Sequence, residues 1–200
     1  GLALGIKYRK KKQISCIFLG DGAIEEGAFY ESANFAALHK LPVLFICENN
    51  LYSVYSPLSK RQPIGRKIYE LSNAIGIKSD HGDGNDVIQI NNILKNAIGE
   101  IRSGNGPRFI EFSTYRWREH CGPNYDNEIG YRTQKEFLEW QMKDPISIFQ
   151  DLLEEKKYLN NKDLINMNQN IESEILLAFN FAKNSNFPDK HSFGDFTYCD

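Results

Sequence analysis

Two short segments of this chain hold residues suited to binding an ion and a phosphate. Gly20-Asp21-Gly22-Ala23 closes an apolar run, Ile14 to Leu19, and Glu48-Asn49-Asn50-Leu51-Tyr52 closes a second, Val43 to Cys47. If the two runs are parallel strands, their carboxyl ends point the same way, and that edge is where open α/β sheets bind ligands. Adjacent strands lie about 4.8 Å apart, so side chains at the two tips can share one small ion. Asp21 offers a carboxylate, Asn50 an amide oxygen, and a loop carbonyl such as that of Tyr52 a third oxygen. A hard, all-oxygen set of low charge suits Mg²⁺ rather than Zn²⁺, with octahedral positions left for phosphate oxygens and water. Gly20 and Gly22 allow a tight turn and a close approach of the backbone to a phosphate. The following helix is expected to aim its free N–H groups and its positive dipole end at the same spot. The parts describe a pyrophosphate held by Mg²⁺ at a strand–turn–helix. G-D-G alone is a weak signal, because such a turn often only ends a strand; G-D-G plus N-N with a helix between them is much stronger.

The surrounding elements must place these tips side by side. A helical stretch from about Gly27 to His39 offers a small-residue face at Ala33, Ala36 and Ala37, and Pro42 punctuates the chain before the second run. A third short run lies near Ile77. Asp86 makes an N-cap for a segment with Ile90, Ile93, Leu94, Ala97, Ile98 and Ile101 at helical spacing, closed by Gly104. Arg108 to Ser113 is a fourth strand candidate. Strand and helix in alternation predict an α/β fold, a mostly parallel sheet with helices on both faces. Beyond Asp144 the pattern changes: Ile148, Leu152, Leu153, Ile171, Ile175, Phe179 and Ala182 sit at helical intervals with Asn- and Lys-rich faces between them. The expected organisation is an α/β domain over 1–143, a helical extension over 144–186 that packs on the sheet or serves as a partner-binding arm, and an unassigned tail over 187–200.

Composition narrows the class. The 200 residues are 41% hydrophobic, enough for one well-filled core. A formal charge of -2 gives no electrostatic footprint for nucleic acid, and Lys10, Lys11 and Lys12 read as a solvated surface. Cys16, Cys47, Cys121 and Cys199 form no close pair, and Cys16 and Cys47 fall in runs expected to be buried strands. That pattern fits a reduced, cytoplasmic setting, with an organelle left open. No apolar stretch is long enough to span a bilayer. The chain opens on Gly-Leu-Ala-Leu-Gly-Ile, without Met, and reads like the middle of a helix, so an upstream segment is expected.

The segment from Gly20 to Asn50, GDGAIEEGAFYESANFAALHKLPVLFICENN, resembles the alpha subunits of the thiamine pyrophosphate-dependent 2-oxo acid dehydrogenases (pyruvate, branched-chain and acetoin). So do Gly106-Pro107 leading into Thr114-Tyr115-Arg116 and His120, and Tyr131-Arg132-Thr133 after them; the similarity covers roughly 1–185. The resemblance implies that Asp21, Asn50 and the carbonyl of Tyr52 bind Mg²⁺, and that Gly22 and Ala23 donate backbone hydrogen bonds to the diphosphate. It places His120 near the diphosphate and the reacting end of the cofactor, where an imidazole donates to phosphate or stabilises charge on the substrate. Glu25 stands where many members have Asn, Trp117-Arg118-Glu119 replaces the more usual Tyr-His-Gly, and Cys121 sits where mitochondrial members carry a regulatory serine. These departures bear on the substrate more than on the cofactor.

The resemblance further implies a beta subunit that supplies the glutamate activating the aminopyrimidine ring, a heterotetramer, and a lipoyl transacylase as acceptor. Three functions stay open. The first is oxidative decarboxylation of a 2-oxo acid with acyl transfer to a lipoyl group. The second is a non-oxidative, transketolase-like carboligation, as in sugar or polysaccharide synthesis. The third is a non-catalytic subunit whose site has decayed, against which the intact Asp21, Asn50 and His120 speak.

Overall fold

The computed structural model describes residues 1–195. The chain divides into two compact units, Gly1–Phe149 and Gln150–Asp200. In the first, α1 (Leu2–Tyr8) leads to β1 (Ser15–Gly20), α2 (Gly27–Leu38) and β2 (Val43–Asn49). A small hairpin of β3 (Tyr52–Ser53) and β4 (Ser56–Pro57) runs into α3 (Leu58–Arg61) and α4 (Ile68–Ala74). Then come β5 (Lys78–Asp83), α5 (Val87–Arg102), β6 (Arg108–Ser113) and α6 (Gln134–Gln141). Helix α7 (Pro145–Glu155) runs across the division, and α8 (Asn161–Asn184) lies in the second unit.

The main sheet has the order β1-β2-β6-β5, and every pairing in it is parallel. The α/β reading therefore holds, with Ser15–Gly20, Val43–Asn49 and Arg108–Ser113 close to their expected positions and the third strand starting just after Ile77. Helix α2 connects β1 to β2 in one direction along the sheet, and α5 connects β5 to β6 in the other. Right-handed crossovers put two such helices on opposite faces. Val43, Phe45, Cys47 and Phe109 pack with Ala33 and Ala36 of α2 on one face, and Leu44, Ile46, Ile110 and Phe112 pack with Ala97 and Ile101 of α5 on the other. The Asp86 carboxylate caps α5 by accepting from the amides of Ile88 and Gln89, and Gly104, at φ 84°, follows the helix in the left-handed region.

Two expectations need correction. Cys16 is exposed rather than buried, whereas Cys47 is fully enclosed. The reason is position: β1 is the edge strand, and the α5 face of the sheet does not extend over it, so Phe18 on that face is 64% exposed. The sheet is therefore covered on both faces only in its middle. Helix α2 does not begin at the glycine motif either; a 3-10 turn, Asp21–Glu25, stands between β1 and Gly27, and this turn presents its first amides at the strand tip instead. In the second unit, α8 forms with a complete capping box at Asn160 and Asp163. Its apolar stripe, including Ile171, Ile175 and Phe179, is at least half exposed. Cys199 and the end of the expected 187–200 tail lie outside the described residues.

Candidate functional site

The tip of β1 carries Asp21, whose carboxylate is almost wholly buried. A buried carboxylate without a partner is costly, and here Arg61 at the end of α3 supplies the cation. Arg61 also donates to Glu25 Oε1 at 2.6 Å and, through Nε, to the Ser56 carbonyl at 3.1 Å. Gln62 Nε2 donates to the same Glu25 oxygen at 3.1 Å. Oδ2 of Asp21 faces Arg61, while Oδ1 accepts no hydrogen bond from the described residues.

Gly22 is the residue that lets this corner close. A Cβ at that position would lie 2.6 Å from Ser53 Oγ and 2.9 Å from Ser53 Cβ, so no other residue fits against β3 without a shift. As the second residue of a 3-10 turn, Gly22 has an amide with no acceptor inside the turn. A small anion held there meets backbone rather than side chain, and the exposed Ala23 follows it directly.

The tip of β2 separates its two asparagines. Asn49 is buried, and its Nδ2 donates to Glu111 Oε1 at 2.7 Å, while Glu111 Oε2 accepts from the Tyr69 amide. Asn49 is thus a structural residue that ties β2 to β6. Asn50 is half-buried, and its Oδ1 accepts from the Tyr52 amide at 3.0 Å, as Asn49 Oδ1 accepts from Leu51 at 3.1 Å. These two successive side-chain turns bend the chain through Leu51, which sits at φ 71°, a conformation uncommon for a branched side chain. The bend sends Tyr52 and Ser53 back toward the glycine turn. An amide oxygen has two lone pairs, so Asn50 retains acceptor capacity after this bond.

The loop after β6 is held at its far end. Arg132 and Asp126 form an enclosed ion pair, and Arg132 also donates to the carbonyls of Arg116 and Trp117. The Tyr131 hydroxyl donates to Asp126 Oδ2 at 2.7 Å and accepts from Arg116, which donates as well to the Val54 carbonyl at 2.8 Å. Loss of water and the Asp126 hydrogen bond push the Tyr131 phenol up to about 12. The Tyr52 hydroxyl donates to Glu136, and burial, followed by that bond, raises its phenol well above its ordinary range. Tyr52 and Tyr131 meet edge-on at 5.2 Å, which locks the β3–β4 hairpin to this loop. His120 lies in the same loop but is exposed, and no hydrogen bond or ring contact among the described residues joins it to Asp21, Asn50 or Tyr52. Cys121 beside it is exposed too.

The structure therefore gathers Asp21, Gly22 and the Tyr52–Ser53 segment at one corner, seats Asn50 at the bend that leads there, and leaves His120 apart. The donor set fits a hard divalent cation: an enclosed carboxylate with one oxygen free of hydrogen bonds, and an amide oxygen on the adjoining turn. Arg61 and Glu136 are residues of this region that sequence reasoning missed. Nothing local marks them, since Arg61 stands 40 residues from Asp21 and Glu136 stands 84 from Tyr52.

Comparison with known proteins identifies a family. The family model for the dehydrogenase E1 component matches residues 1–191. The "Pyruvate dehydrogenase E1 component subunit alpha" of Rickettsia felis is 34% identical over 199 residues, which is all of this chain and 60% of that protein. The protein of the same name from Staphylococcus aureus is 35% identical over 176 residues, 88% of this chain and 45% of that one. This chain thus spans about three-fifths of the Rickettsia relative and less than half of the Staphylococcus one. A solved structure from Mycobacterium smegmatis, described as a thiamin diphosphate-dependent enzyme, aligns over 57% of this chain and 21% of its own, with 20% identity and a TM-score of 0.43. At that level of likeness the fold argument rests on the strand pairings above. With a family model over nearly the whole described length, the chain belongs to the dehydrogenase E1 component family.

Proposed function

We propose that this chain is the cofactor-anchoring part of a thiamine pyrophosphate-dependent 2-oxo acid dehydrogenase alpha subunit. The observation that carries this reading is the corner where the enclosed Asp21 carboxylate adjoins a turn at Gly22 too close to Ser53 to take a side chain without a shift. Asp21 and Asn50, with the Tyr52 carbonyl, would hold Mg²⁺, and the backbone of Gly22 and Ala23 would hold the diphosphate. When bound, thiamine pyrophosphate supplies the carbanion chemistry that splits carbon dioxide from a 2-oxo acid. The chain's own residues bind and orient. The strand tips fix the anchor because their positions follow from sheet pairing, and the 3-10 turn directs its amides at the anion. His120 would be brought to the reacting end by ordering of its loop, where it donates to phosphate or stabilises charge.

The reading includes a beta-type partner that completes the site in a heterotetramer, a 2-oxo acid substrate and a lipoyl-bearing acceptor. The name of its relatives, a subunit alpha, supports such a partner. No helix among the described residues is long and apolar enough to cross a membrane. The loop bearing Trp117-Arg118-Glu119 supports a second reading in which the same anchor serves a non-oxidative carboligation. There Arg118 lies 3.8 Å over the Tyr125 ring and Glu119 accepts from Asn124, so these departures form a self-bonded loop beside His120. A neighbouring gene for a lipoyl transacylase points to the first reading, and a sugar-biosynthesis cluster to the second.

Calorimetry tests the anchor. The full-length subunit, co-purified with its beta-type partner, is titrated with thiamine pyrophosphate in Mg²⁺, in EDTA, and as Asp21→Ala. Tight binding that disappears in both controls supports the reading. No heat under any condition, from a folded and associated complex, leaves the decayed-subunit alternative.

A further inference from the structure

The corner at Asp21 holds a cation that the reading above does not use. Arg61 has an 11% exposed side chain whose guanidinium contacts Asp21 with one nitrogen and Glu25 with another. Its Nη1 lies 3.5 Å from where a Cβ on Gly22 would be, so the guanidinium sits beside the glycine turn. Two carboxylates against one guanidinium leave the corner with an excess of negative charge. A diphosphate approaching Gly22 would meet the Glu25 carboxylate at short range, and like charges there repel. Arg61 is placed to offset that repulsion.

Its orientation is maintained by contacts other than that to Asp21. Nε is fixed by the Ser56 carbonyl, and Glu25, itself held by Gln62, pins Nη1. The nitrogen on Asp21 is the arm with competition: a divalent cation on the same carboxylate repels the guanidinium. That arm then has a better acceptor in a diphosphate oxygen, for which a planar fork of N–H donors is suited. We propose, resting on the function given above, that Arg61 is a diphosphate-binding residue delivered to the Gly22 turn by α3 and steered by Glu25.

The test uses the full-length subunit with its beta-type partner and two probes, both with Mg²⁺, the cation that frees the Asp21-facing arm: thiamine pyrophosphate, and inorganic pyrophosphate, which has no other part to hold it. Arg61→Met is expected to weaken inorganic pyrophosphate at least about tenfold. Arg61→Lys, which keeps the charge on Asp21 but loses the fork, is expected to weaken it about threefold. Far-ultraviolet circular dichroism checks that each variant is folded; if Arg61→Met is not, the lysine variant decides alone. A wild-type complex that binds thiamine pyrophosphate while the folded variants bind inorganic pyrophosphate as tightly as it does overturns the Arg61 assignment only. A wild-type complex that binds neither probe overturns the proposed function as well.

Discussion

The tips of β1 and β2 and the loop after β6 face the same task with different construction. At the tips, Asp21 and Asn50 directly follow β1 and β2; Asp21 is enclosed and paired with Arg61, and Asn50 accepts from the Tyr52 amide two residues on. In the loop, Arg132, Asp126 and Tyr131 make a tight knot at one end, yet His120 stands exposed and unpartnered among the described residues. The proposed anchor is thus preformed, and the loop is fixed at its base but not at His120, the residue proposed to act there. Preformed geometry suits a cofactor that stays bound, whereas a residue that meets substrate can wait for the rest of its site to order it.

The strongest way to break this comparison is to cut the knot. Arg132→Ala leaves Asp126 enclosed without its cation, and a loss of about 3–5 kcal/mol is expected in urea unfolding of the full-length subunit. A change below about 1 kcal/mol would mean that the loop is not fixed at its base after all. His120→Ala should next lower turnover of the assembled enzyme about 100-fold while shifting thiamine pyrophosphate affinity by less than about threefold. An equal loss in affinity would place His120 in the anchor and erase the contrast.

The two asparagines sharpen it further. Asn50→Ala should weaken thiamine pyrophosphate about tenfold, or about 1.4 kcal/mol, with a stability loss of no more than about 1 kcal/mol for the Tyr52 amide bond. Asn49→Ala should do the reverse, costing about 1–3 kcal/mol of stability because Glu111 loses a buried partner. Calorimetry and chemical denaturation on both variants separate the outcomes, and matched behaviour would contradict the division of labour.

The smallest effect belongs to Tyr131→Phe, at about 1 kcal/mol near neutral pH for the lost Asp126 bond. Because the folded phenol titrates at about 12, above its ordinary value near 10, the folded state holds its proton longer than the unfolded one. The stability this brings is fully present below about pH 10 and fades as pH rises toward 12. Wild type should therefore lose more stability than Tyr131→Phe across that interval, read from unfolding midpoints; parallel losses would remove Tyr131 from the loop's fastening.

Local pattern was enough for much of this protein. The runs around Val43 and Arg108 are strands because they are short, apolar and bounded by breakers. The Asp86 cap and the apolar spacing of α5 follow from helix geometry alone. The asparagine pair is equally local, since each asparagine bonds the amide two residues on, whereas the close approach of Gly22 to Ser53 comes from the fold. What depended on three dimensions is what lies across the sheet or between distant loops. Cys16 is exposed because β1 is an edge, a property of strand order and not of its own residues. Asn49 and Asn50 diverge because β2 pairs with β6 and brings Glu111 beside one of them. Arg61 reaches Asp21 only because the hairpin folds back over the glycine turn, and a charge 40 residues away leaves no periodic trace in the chain. Spacing along a sequence specifies an element's own shape, while the partners of a buried charge are chosen by topology.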